Sequence, residues 1–188
     1  MNKFYWYSFV AFILVLFDLL QKYFSIASKN VYDLFYSILL LFHFIFLSLF
    51  IYRVLPNKKN SKYLKLLFFL FLLVILFCLF TNDLSIPQST AYAFTNLGLV
   101  LFCCFYYLQL FDEMPTVNLL KEPAFWIISG IFFCMCATIP LNSLRGYLLD
   151  NIPYEIYLSM GGIGFFAYGV MHLFFIKAYL CSTSQPKA

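Results

Sequence analysis

The sequence predicts an all-α, polytopic transmembrane helix bundle of six helices. Of its 188 residues, 64% are apolar, 23% are aromatic and 11% are charged, whereas an average soluble domain has about 25% charged residues. So few charged side chains cannot cover a water-soluble core built from the others, and disorder requires low hydrophobicity with high net charge. The length suits one domain, so we expect a single integral-membrane domain over residues 1–188 and no soluble domain.

The six helices are predicted from six apolar runs. A bilayer core of about 30 Å is crossed by about 20 mostly apolar residues. The runs are apolar all round, unlike the alternating strands of a membrane barrel, and a helix satisfies its own backbone hydrogen bonds in lipid. They cover residues 4–20, 31–55, 63–81, 91–111, 124–141 and 156–176.

Two features qualify the boundaries of these runs. The first run is not followed by a small-residue cleavage pattern, so we expect an uncleaved helix rather than a signal peptide. Pro140 lies near the end of the fifth run, where a proline removes a hydrogen bond and obstructs the preceding turn. We therefore expect a kink or an early stop at Pro140.

The distribution of basic residues predicts the orientation. Lysine and arginine are retained in cytoplasmic loops. With six helices, nine of the twelve basic residues lie on the side of the two termini and three lie on the other side. The expected location is therefore the cell (cytoplasmic) membrane, with both termini inside. The cluster around Lys58 and Lys59 is interpreted as an anchor that attracts anionic lipid, and a nucleic-acid partner is not expected.

Two histidines are the first candidate site residues. His43 lies in the middle of the second predicted helix, and His172 lies towards the inner end of the sixth. An ionisable residue within a membrane helix is a functional hypothesis by default, although a histidine that bonds a neighbouring helix is the commoner case. Two facing imidazoles would also suit haem ligation or proton relay. Haem is the least favoured of these readings, and we expect no cofactor and no metal.

Other polar residues in or near the helices are further candidates. Asp18 precedes Lys22 by four residues, so the two share a helix face and are predicted to pair, with a cation or substrate contact as the alternative. Asn96 and Gln109 lie within the fourth predicted helix, and Arg145 follows the fifth. Membrane amides usually bond a neighbouring helix. Alternatively, Asn96 and Arg145 line an outward-facing pocket together with Asn142.

Glycines predict where helices approach closely, because small residues let two backbones come together. Four of the seven glycines fall in the sixth predicted helix: Gly161, Gly162, Gly164 and Gly169. Packing of this helix against the rest of the bundle is the first expectation. A flexible or dimerising helix that passes a signal to the tail is the alternative.

Signatures of an enzyme are missing from the sequence. The chain has no G-x-S-x-G, no H-E-x-x-H and no P-loop. Of its six cysteines, five lie in apolar runs and none forms a C-x-x-C pair, so they are interpreted as small apolar residues. We therefore expect no catalytic activity.

One segment resembles a known group of proteins. Residues 119–133, LLKEPAFWIISGIFF, resemble a motif of small multi-pass bacterial membrane proteins that also occur as the membrane domain of some sensor histidine kinases. The matching residues are Leu119, Leu120, Pro123, Phe125, Trp126 and Gly130. The resemblance implies a sensing or signalling module that works with a separate kinase. Physically, Glu122 and Pro123 suit a helix N-terminus, Trp126 suits the membrane interface, and Gly130 suits close packing.

Three functions are weighed on this basis. The resemblance and the missing motifs favour a non-enzymatic module that senses, signals or scaffolds through a partner. Membrane lipid surrounds such a module, and its oligomeric state is left open. A small-solute binding or transport subunit is the alternative, although inverted repeats and broken helices are not evident. A membrane enzyme would need a convergent polar set, which only His43 with Asn96 or Asp18 offers.

Overall fold

The computed structural model describes residues 29–55, 61–80, 87–113, 119–144, 151 and 153–183. Within these ranges the fold is all-helical. There are five α-helices, α1 to α5, and one short 3₁₀ turn at Leu119–Lys121 that precedes α4. The helices are α1 (Lys29–Val54), α2 (Ser61–Phe80), α3 (Pro87–Glu113), α4 (Pro123–Ser143) and α5 (Tyr154–Thr183).

The predicted number of membrane spans is not supported. The first predicted helix, residues 4–20, lies outside the described residues, together with Asp18. Among the described residues, three segments are long and apolar enough to cross a membrane: Thr90–Asp112, Pro123–Ser143 and Gly162–Ser182. The apolar part of α1, Leu40–Val54, is shorter. These three segments indicate a membrane location, and they do not establish six crossings or the cytoplasmic position of both termini.

Proline marks helix starts more reliably than it marks helix ends in this chain. Pro87 opens α3, and Pro123 occupies the first turn of α4, where its missing N–H would have no intrahelical partner in any case. The early stop expected at Pro140 is wrong, since α4 continues to Ser143. The end of the helix is held instead by the Leu144 N–H, which donates to the Pro140 carbonyl at 3.1 Å.

The helices pack in a layered order. α3 lies against α1 and α2 on one side and against α4 on the other, and α5 lies against α4. At the junction of α1, α2 and α3, the fully buried Phe44 ring stacks on Phe68 at 5.6 Å and meets the edge of Phe102 at 6.3 Å. Gly98 makes room for this junction, because a Cβ there would lie 2.9 Å from the Phe71 ring and 3.0 Å from the Phe44 ring.

Gly130 allows the closest approach between α4 and α5. A Cβ at this position would lie 2.9 Å from the Phe174 Cβ and 3.2 Å from the Met171 carbonyl oxygen. Both obstacles belong to the backbone or its first side-chain atom, so neither can swing aside. The contact is completed by the buried Ala167, Met171 and Ala178 of α5.

The glycines of α5 do not serve this contact. A Cβ at Gly162, Gly164 or Gly169 would meet no atom within 4 Å. Packing of these three glycines against the rest of the described bundle was expected and is not observed, because α5 meets α4 through alanine, methionine and aromatic side chains instead. The surroundings of Gly161 are not among those that the structure describes.

This contrast gives a matched pair of variants. Gly130→Ala should destabilise the folded protein by about 1–3 kcal/mol, the usual cost of overpacking. Gly169→Ala should be neutral or stabilising by up to about 1 kcal/mol, because alanine restricts the unfolded chain more than glycine does. Reversible unfolding in mixed micelles measures both, and equal effects would contradict the assigned α4–α5 contact.

Candidate functional site

A buried polar node joins α3 to α4. The Asn96 Nδ2 donates to the Thr138 Oγ1 at 3.0 Å, and both residues are at most 3% exposed. The Thr138 hydroxyl in turn donates to the Cys134 carbonyl at 2.9 Å, and the Asn142 Nδ2 donates to the Thr138 carbonyl at 2.9 Å. The structure thus brings together Asn96 and Asn142, two of the amides expected at a pocket, and it engages them in helix–helix and helix-end hydrogen bonds.

Two further hydroxyl pairs tie the helices together. The Tyr107 hydroxyl donates to the Ser129 Oγ at 2.9 Å, and Ser129 donates to the Phe125 carbonyl at 2.7 Å. The hydroxyls of Tyr92 and Tyr168 lie 2.6 Å apart, which links α3 to α5. Interhelical hydrogen bonds of this kind hold membrane helices in register.

The two histidines belong to different parts of the bundle. His172 lies on α5, which packs on α4, whereas His43 lies on α1, which packs on α2 and α3. The His172 Nδ1 lies 2.7 Å from the Tyr168 carbonyl oxygen. A carbonyl oxygen only accepts, so this nitrogen carries a proton and donates it. The structure does not bring the two imidazoles onto one pair of packed helices.

Among the residues that the structure describes, four buried side-chain atoms have no hydrogen-bond partner. These atoms are the His43 Nε2, the Ser48 Oγ, the Gln109 Oε1 and the His172 Nε2. Ser48 and Gln109 are themselves buried, on α1 and α3, which pack against each other. A buried polar atom without a partner costs about 1–3 kcal/mol, so these positions are the ones where a hydrogen-bonding solute or water would be favourable. Gln109 therefore differs from Asn96, whose amide is engaged.

The LLKEPAFW segment forms a second polar feature, at the start of α4. The Trp126 Nε1 donates to the Leu120 carbonyl at 2.9 Å, and the Cys181 thiol of α5 donates to the same oxygen at 3.4 Å. The Trp126 ring also meets Phe174 at 5.7 Å and lies under the Lys177 Nζ at 5.8 Å. We call these residues, Leu120, Trp126, Phe174, Lys177 and Cys181, the tryptophan clasp, since they fasten the end of α5 to the turn before α4.

Glu122 occupies the position before α4 in extended conformation, and its side chain makes no cap hydrogen bond. Its backbone N–H donates to the Leu119 carbonyl at 3.1 Å, which closes the 3₁₀ turn. Pro123 then begins the helix. Arg145 lies outside the described residues, so its expected place beside Asn142 stays a prediction.

The described ranges contain no group of three metal-ligating side chains. No disulfide joins the described cysteines, which are Cys78, Cys103, Cys104, Cys134, Cys136 and Cys181. The Tyr92 and Tyr168 hydroxyls form one pair of titratable groups across helices, and the His172 ring bonds the Tyr168 backbone carbonyl.

The sequence-based selection missed Thr138, Tyr92, Tyr168 and Ser129. A usable signal for Thr138 was its spacing, since Thr138 and Asn142 are four residues apart and therefore share a helix face. In lipid the Asn96 amide needs a hydrogen-bond partner, and the helix face that carries Thr138 and Asn142 is a place where one could be expected.

Comparisons with known proteins give no relative. The chain matches no family model, no curated protein and no solved structure.

The polar node gives an asymmetric prediction. Thr138→Val should cost about 1–3 kcal/mol, because it strands the Asn96 amide in the core. Asn96→Leu should cost less, about 0.6 kcal/mol, the average for an interhelical hydrogen bond in a membrane protein. Adding Asn96→Leu to Thr138→Val should restore part of the lost stability. Unfolding in mixed micelles measures the three variants, and strict additivity would show that the two side chains do not pair.

Proposed function

We propose that this chain is a non-enzymatic integral membrane module that signals or scaffolds through a separate membrane partner, and that α5 is the helix this partner contacts. A histidine kinase is the kind of partner that the resemblance of residues 119–133 implies. A non-enzymatic role is proposed because the sequence lacks the signatures of an enzyme.

The outward surface of α5 carries this proposal. Only 17% of the span Gly162–Ser182 is buried, against 50% for the span in α3 and 44% for α4. Six of the exposed positions on α5 follow each other at alternating intervals of four and three residues, namely Gly162, Phe166, Gly169, Leu173, Ile176 and Leu180. This spacing produces a continuous seam along one face of a helix.

The glycines distinguish this seam from an ordinary lipid-facing surface. A helix that meets only lipid gains nothing from glycine, which costs about 0.5–1 kcal/mol relative to alanine within a helix. Small residues are enriched where membrane helices meet each other. Gly162 and Gly169 are exposed on the seam, and no atom lies within 4 Å of either Cβ position. A second helix would find room there.

The tryptophan clasp supports a signalling role for the same helix. It fastens the end of α5 to the turn before α4 through one carbonyl oxygen that accepts both the Trp126 and the Cys181 hydrogen bonds. A partner that shifts α5 along α4 has to change these contacts, so movement of α5 would reach the connection between α3 and α4.

Two positions of almost equal exposure provide the test. Leu173 on α5 is 64% exposed and Leu73 on α2 is 67% exposed. A photo-crosslinking residue at Leu173 should give discrete protein adducts in native membranes, whereas the same residue at Leu73 should give lipid adducts. Gly169→Leu should remove the adduct at Leu173 without changing thermal stability. Lipid adducts alone at both positions would contradict the proposal, and an adduct of twice the chain mass would identify the partner as a second copy.

A small-solute binding or transport subunit is the second candidate, favoured by the unpartnered Ser48 Oγ and Gln109 Oε1. This function requires water to reach the α1–α3 contact. In Ser48→Cys, a membrane-impermeant thiol reagent should then label more thiols per chain than in the unsubstituted protein. Unchanged labelling would remove this candidate.

A further inference from the structure

The described basic side chains gather at one end of the bundle. The Lys65 Nζ lies over the Tyr52 ring, so the start of α2 meets the end of α1. The Tyr107–Phe125 and Lys177–Trp126 contacts likewise join the end of α3 and the end of α5 to the start of α4. We call this the basic end. Its basic side chains are all exposed, and they are Arg53, Lys62, Lys65, Lys121 and Lys177.

Acidic side chains reduce this charge without cancelling it. Asp112 at the end of α3 is exposed, and Glu122 before α4 is half-buried. With Glu113, the last residue of α3, the described residues at this end include five basic and three acidic residues, so the end stays positive. The surface therefore complements an anionic partner.

Trp126 fixes where one of these charges lies. Its Nε1 is committed to the Leu120 carbonyl, and the Lys177 Nζ rests over its ring at 5.8 Å from the centroid. Tryptophan rings lie at the headgroup level of a bilayer, and a lysine near the end of a membrane helix places its ammonium at that level. Lys177 therefore lies where the phosphates of phospholipids lie, and so does the exposed Lys121, which directly follows the Leu120 that Trp126 bonds.

We propose that Lys177, Trp126 and Lys121 form a binding site for the headgroup of an anionic phospholipid. The ammonium groups of the two lysines pair with the headgroup phosphate, and the acyl chains extend from there into the bilayer. The site belongs to the tryptophan clasp, so a bound lipid would stabilise the contact between α5 and the turn before α4.

Quenching of Trp126 fluorescence tests this site directly. The chain has two tryptophans, so Trp6→Phe leaves Trp126 as the one emitter, after its thermal stability has been checked against the unsubstituted protein. Brominated phosphatidylglycerol should quench Trp126 more strongly than brominated phosphatidylcholine at the same mole fraction in mixed vesicles. The ratio of the two quenching constants reports the local lipid preference, and each variant serves as its own reference.

Variants on the same background assign the preference to the site. Lys177→Gln should lower the ratio roughly fivefold, given about 1 kcal/mol per lysine near an anionic surface, and Lys177→Arg should preserve it. Glu122→Gln should raise it, because a negative charge beside the site is removed. Lys62→Gln removes the same charge from α2, which packs on α1 and α3, and should leave the ratio nearly unchanged.

Three results would overturn the proposal. A ratio of one in the Trp6→Phe protein would show that the site does not prefer anionic lipid. Equal losses in Lys177→Gln and Lys62→Gln would show a diffuse charge effect without a site. Loss of the preference in an excess of soluble glycerol phosphate would assign the site to free phosphate compounds instead of lipid. None of these results depends on whether α5 has a protein partner.

Discussion

The absence of water around the apolar helices is the constraint on which the rest of the structure depends. In lipid an unpaired polar group costs several kcal/mol, so the backbone becomes helical and polar side chains pair across helices. Asn96 with Thr138, Tyr107 with Ser129 and Tyr92 with Tyr168 are three such pairs, and they join α3 to α4 and α5. The few atoms left unpaired, on His43, Ser48, Gln109 and His172, are exceptional for the same reason.

Hydrophobicity cannot bring helices together when the solvent is equally apolar, so shape does. Gly98 and Gly130 lie where an added methyl group would collide with a neighbouring helix. Gly162 and Gly169 are exposed on α5, and no described atom lies within 4 Å of their Cβ positions. Glycine therefore lets two described helices approach at Gly98 and Gly130, and it leaves room for a further helix at Gly162 and Gly169. This contrast is the physical basis for proposing a partner of α5.

Composition and run length predicted the helical class, and all five described helices overlap predicted runs. The boundaries were less predictable, because α5 runs on to Thr183 and α4 passes Pro140. The hydrogen-bond partners of the polar side chains were not predictable from one sequence. The helical period of the sequence places Asn96 on one face of α3. The helix that lies against this face depends on how α3, α4 and α5 pack. For the same reason one sequence could not show whether Gly162, Gly164 and Gly169 pack against α4.

Hydrogen–deuterium exchange in lipid nanodiscs tests the central claim most directly, namely that Thr90–Asp112, Pro123–Ser143 and Gly162–Ser182 cross the lipid as helices. Backbone amides in the middle of each segment should stay protected for hours, including those on the outward face of α5, because lipid excludes water from them. Exchange within minutes through the middle of any one segment would show that water reaches it, and would contradict the account.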